Sequence, residues 1–162
     1  MNRTWAVFEK IIAVTQIVMG FGLVYFAFTH IELWNRTTVL LKYKPTIQNA
    51  LMIERAQILD GALFLTAGIL MLFNKRIAWM MSFALWFFWL MNFLFQSFFN
   101  TDPIEQDMTT FILLCLLQVA FLIFLLLKPI IDKYKVTRID WATTLVMVML
   151  ISLDRYWHSI FY

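Results

Sequence analysis

The chain has 162 residues, of which 62% are hydrophobic, 18% aromatic and only 14% charged; a soluble domain averages roughly 45 to 50% apolar and 25% charged residues. That composition excludes a soluble domain, whose surface needs more polar residues, and a disordered chain, which carries fewer Phe, Leu and Ile. One Cys, two His, four Gly and three Pro exclude disulfide scaffolds, Cys-rich zinc sites, iron–sulfur clusters and Gly-rich phosphate loops, so no cofactor and no metal site is expected. The mean hydropathy of +0.77 points to the bilayer. The expectation is an all-α integral membrane protein, a small bundle of four to five transmembrane helices with no soluble domain.

In chain order, the apolar stretches predict spans over about 11–29, 46–73, 77–99 and 108–127, with a fifth over 141–161. The first is too long for a signal-peptide core and lacks a small-residue cleavage site, so it is read as retained. Thr15, Gly22 and Thr29 recur every seven residues along it, a spacing that puts small residues on one face and predicts close packing inside the bundle, with a dimer seam as the alternative. Gln16, a quarter turn away, needs an interhelical hydrogen bond or a wet cavity.

The second span has Pro45 near its start and carries the most polar chemistry. Glu54, Gln57, Gly61, Phe64 and Gly68 share one face, Asp60 lies at its flank and Arg55 points away. An ionisable group in an apolar helix is costly and faces protein or water. Asp60 therefore reads as an interfacial cap reaching the headgroups, a proton- or cation-binding carboxylate, or the partner of a basic residue in the first connection.

Trp79, Trp86 and Trp89 lie in the third span, and the mid-span pair Trp86 and Trp89 reads as core packing or as the wall of a lipid groove. Ser82, Trp89, Asn92 and Gln96 form a polar stripe whose expected partners are Gln16, Asp60 and Gln118. Cys115 of the fourth span has only Gln118 as a polar neighbour and is assigned no catalytic role. Stretch 130–140 alternates apolar and charged residues and reads as a surface-lying linker. The fifth span places Asp154 and Arg155 about two-thirds of the way across. They are expected to neutralise each other or snorkel outward and to face protein, the bundle interior or a partner chain, and not lipid, with His158 one turn on and in hydrogen-bond reach of Asp154.

Of the 13 Lys and Arg residues, eight flank one side of the first four spans (Arg3, Lys10, Lys75, Arg76, Lys128, Lys133, Lys135, Arg138) and four the other (Arg36, Lys42, Lys44, Arg55). The positive-inside rule then puts the N-terminus in the cytoplasm, and a bacterial inner membrane is the default location. The net charge of +3 is mostly this topological signal, so no nucleic-acid partner is expected. No Ser-Lys, Ser-His, paired-Asp or His-Glu-x-x-His arrangement lies at depth, and no catalytic residue is assigned.

The leading functional expectation is a non-catalytic integral subunit that stabilises or modulates a larger membrane complex. Its partners would be the lipid bilayer and other membrane-protein subunits, or copies of itself. The alternatives are a small homo-oligomeric pore or membrane-disrupting effector lined by Glu54, Asp60, Asn92 and Gln96, a lipid or isoprenoid binder using Trp86 and Trp89, and an enzyme acting on lipid.

Overall fold

The computed structural model describes residues 3–37, 47–99 and 108–161, and among them the chain is helical throughout apart from short turns. Six helices follow in order: α1 (Arg3–Thr37), α2 (Ile47–Leu72), α3 (Arg76–Phe99), α4 (Met108–Leu126), α5 (Lys128–Tyr134) and α6 (Arg138–Phe161). Four contain stretches long and apolar enough to cross a membrane, Thr4–Leu33, Glu54–Leu72, Arg76–Phe95 and Thr109–Leu126. The α5–α6 pair, bent by 95°, brings the number to five if it is counted as one span. The protein is a membrane-embedded helical bundle, and no soluble domain is evident among the described residues.

Helix α3 sits at the centre and packs on α2, α4 and α6, while α1 pairs with α2 in an antiparallel hairpin. The aromatic residues of α3 fill the core. Trp86 packs edge-on to Phe64 of α2 and Phe121 of α4, and Trp79 packs edge-on to Trp141 of α6. Outside this core the helices show Val, Leu, Ile and Phe, as a lipid-facing surface requires.

The α1–α2 hairpin is built on small residues. A Cβ on Gly20 would stand 2.7 Å from both the Gly61 carbonyl oxygen and the Leu65 backbone nitrogen. One on Gly68 would stand 2.6 Å from the Ala13 carbonyl oxygen. Ala13, Gly20 and Ala27, seven residues apart, are the buried seam of α1, and Gly61 and Gly68 answer them from α2. This corrects the expected packing face: a Cβ on Gly22 would meet nothing within 4 Å, so the Thr15, Gly22 and Thr29 line does not form the hairpin seam.

Turns at the end holding the start of α1 are set by local chemistry. Asn74 (φ 54°) and Lys135 (φ 51°) take the left-handed conformation after α2 and α5. In both turns the next N–H reaches back five residues, Lys75 to Leu70 at 3.0 Å and Val136 to Ile131 at 3.1 Å, and satisfies a helix-end carbonyl. Pro129 in the first turn of α5 fits a helix start. The 130–140 stretch, read as a surface linker, is α5 and the turn into α6, with Ile130 and Tyr134 buried against the bundle. Thr137 and Asp140 then open α6 as a capping pair, the Asp140 carboxylate accepting from the Thr137 N–H at 2.6 Å and its hydroxyl at 2.9 Å.

Candidate functional site

Opposite that end, α2 and α6 are joined by two ion pairs. Arg55 donates to Asp154 at 2.5 Å, and Arg155 donates to Asp60. Each helix contributes one acid and one base, so the four charges cancel. Asp60 is 1% exposed, whereas the Arg55 side chain is 41% exposed. The apolar stretch of α2 begins at Glu54, so Arg55 stands at the membrane boundary and Asp60 about 7.5 Å deeper than Arg55.

This arrangement corrects three expectations. Asp60 does not reach the headgroups and its partner comes from α6, because α6 packs on α2 and brings Arg155 to it. Arg55 does not point away: a long side chain one position off a helix face reaches a neighbouring helix. Asp154 and Arg155 do not neutralise each other, since each is matched across the interface. The side chain of His158 lies outside the described residues, and so does that of Gln96.

Next to the ion pairs, Glu54 is buried and lies 3.2 Å from His30 Nδ1 of α1. The Trp89 indole N–H approaches the Asp60 carboxyl without completing a hydrogen bond. Deeper in the bundle, the Ser82 hydroxyl donates to Gln16 Oε1 at 3.1 Å, both side chains fully buried. Gln118 is buried in α4, and among the described residues neither its Oε1 nor the Trp86 N–H has a partner. Asn92 is half-buried further along α3. Trp86, 1% exposed and enclosed by Phe64 and Phe121, lines no lipid-facing groove, and Trp89 packs on Phe64 beside it. Of the two readings of the Trp86–Trp89 pair, core packing is the one these surroundings fit, and the lipid groove is not.

Two further polar clusters at the α5 end went unread in the sequence. Glu9 of α1, 5% exposed, accepts from Lys133 and from the Tyr134 hydroxyl, tying α1 to α5. Burial first, then the hydrogen bond and charge of Glu9, pushes the Tyr134 phenol well above its ordinary range. Arg76 donates to Asp140, with its Nε at 3.0 Å, and to the Thr137 hydroxyl at 2.7 Å. Burial pushes the Asp140 carboxyl up, but Arg76 and Thr137 together bring it below its usual range. The Thr-x-x-Asp spacing at 137–140 is a cap signature that could have flagged the second cluster; Glu9 carried no comparable signal.

Chemically, the polar residues join helices. Among the described residues, no group of three or more His, Cys, Asp or Glu is placed to hold a metal ion. Comparison of this chain with protein-family models, with curated proteins and with solved structures found no match.

Proposed function

We propose that this chain is a non-catalytic integral subunit that stabilises or modulates a larger membrane protein complex. One observation carries the reading: Gly22 lies midway along the outer face of α1 with nothing within 4 Å of where a Cβ would be. Around it, Val7, Ile11, Val14, Val18, Phe21, Tyr25 and Phe28 are all exposed and alternate at spacings of four and three. That is the spacing of a left-handed helix–helix seam, and a small residue within it lets a second backbone approach. The buried Ser82, Asp60 and Glu54, and the Oε1 of Gln16, are meanwhile committed to partners inside the chain. The outer face of α1 is thus the docking side we assign to a transmembrane helix of the partner.

The small-pore alternative has less support, since Glu54 and Asp60 face their own bundle and not a path between copies. We place the protein in a bacterial inner membrane with its N-terminus cytoplasmic, on the strength of the eight basic residues flanking that side. The test is native mass spectrometry of the tagged full-length chain extracted from its membrane in mild detergent. The expected result is a hetero-complex of defined mass for the wild type, reduced to the tagged chain alone by Gly22→Leu. A wild type that runs alone or only with copies of itself, or a hetero-complex indifferent to Gly22→Leu, overturns the proposal.

A further inference from the structure

A cleft of about 300 Å³ opens between α2, α3 and α6, and nothing in the proposed docking role uses it. Its walls include Leu63, Leu85, Met147 and Ile151, and the exposed side chains of Leu59 and Leu150 form its rim. Among the described residues, the one polar lining residue is Asp154, at the end where the two ion pairs join α2 to α6. From Met147 to Asp154 the cleft runs along about 10 Å of α6, from the charged end toward the middle of the bilayer.

We infer that this cleft binds one acyl chain of a phospholipid, with the lipid phosphate on Arg55. Three physical arguments select that occupant. Water is disfavoured, because a single carboxylate already committed to Arg55 leaves the rest of the wall without hydrogen-bond partners. A protein helix, about 10 to 12 Å across with its side chains, overfills a space of 300 Å³, whereas a single hydrocarbon chain fits. Arg55 supplies charge complementarity. Among the described residues its guanidinium, with five N–H groups, donates to Asp154, and its side chain is 41% exposed. It also stands one residue inside the apolar stretch of α2, at headgroup level. A phosphate diester there takes charge-assisted bonds from Arg55 without breaking the pair to Asp154, and its tail descends along Leu63 and Met147.

The experiment titrates delipidated, full-length protein with dioleoyl-phosphatidylglycerol and with dioleoylglycerol, which shares the tails but lacks the phosphate. Bound lipid is read by native mass spectrometry. One tightly held phospholipid is expected, preferred over the diacylglycerol by at least tenfold. Leu63→Trp fills the cleft and is expected to reduce bound phospholipid at least fivefold. Leu150→Trp, at the lipid-facing rim, is expected to do the same and decides the matter if Leu63→Trp does not fold. The charge-neutral double variant Arg55→Gln/Asp154→Asn is expected to retain a lipid but lose the preference for phosphate. The inference is overturned by a wild type that holds no phospholipid, by equal binding of the two lipids, or by undiminished binding in the cleft-filling variants. Cross-links placing a protein chain in the cleft would overturn it also.

Discussion

Gly20 and Gly22 stand two residues apart in one apolar helix and meet opposite surroundings. A Cβ on Gly20 would strike the backbone of α2 at 2.7 Å, while one on Gly22 would meet nothing within 4 Å. Composition does not separate these two faces, since Ala13 and Ile12 on the inside and Val14 and Ile11 on the outside are equally at home in hydrocarbon. What separates them is size. Lipid tails are as apolar as a Leu core, so helices in a membrane associate through close packing and polar pairs more than through burial of apolar surface. The inner face of α1 has both, in Gly20 and in Gln16 bonded to Ser82.

The strongest way to break the contrast is from the α2 side of the seam. Gly61→Leu puts a side chain where a Cβ alone lies 2.8 Å from the Gly20 carbonyl oxygen, so α1 and α2 must separate. Overpacking typically costs about 1 to 3 kcal/mol, and the cost rises where backbone is struck. The expected outcome in thermal unfolding is loss of most of the cooperative transition.

The polar half of the inner side is tested at Asp60. Asp60→Ala leaves Arg155 without its partner and is expected to destabilise by about 3 to 5 kcal/mol. Asp60→Asn/Arg155→Gln, which removes both charges, should recover most of that loss in the same melt. If the double variant is no better than the single one, the pair does not hold α6 to α2.

A smaller effect is expected from pH at the α5 corner. The phenol pKa of Tyr134 is raised in the folded state, so its contribution is full below the ordinary value of about 10 and is lost as pH rises above it. Asp140 has the opposite sign: its pKa is lowered, so its contribution is present above about pH 4 and is lost as pH falls through the folded value. Stability should therefore be flat across neutral pH with respect to both groups. The alkaline loss should shrink in Tyr134→Phe, read by near-UV absorbance and thermal melts. The smallest effect belongs to Gly22→Ala, whose melting temperature should match the wild type.

How much of this was legible in the sequence follows from the same physics. The spacing of Glu54, Gln57, Gly61, Phe64 and Gly68 placed them on one face of α2, and four of the five are buried, Gln57 only partly, because polar and small residues break the monotony of an apolar helix. Thr15, Gly22 and Thr29 made an equally regular line on α1 and pointed to the wrong side, since periodicity gives a face but not what lies opposite it. The ion pairs were half legible. Asp60, Asp154 and Arg155 were marked by the cost of charge in an apolar helix, but their matching joins residues about a hundred positions apart and depends on where α6 docks. Arg55 was misplaced because helix-face arithmetic follows Cα positions, and its reach is that of a long side chain. Trp86 and Trp89 were found as a mid-span pair, yet only the positions of Phe64 and Phe121 show that the pair is core.

The central claim is that α1 has one face that holds the bundle together and another reserved for a partner. Gly20→Leu and Gly22→Leu, made separately in the full-length chain, test it when folded fraction and complex mass are measured on the same mild-detergent extracts. The account predicts that Gly20→Leu loses the folded chain, whereas Gly22→Leu keeps it folded with a wild-type melting temperature and loses only the higher-mass complex. Unfolding in Gly22→Leu, or a Gly20→Leu chain as stable as the wild type, would contradict it.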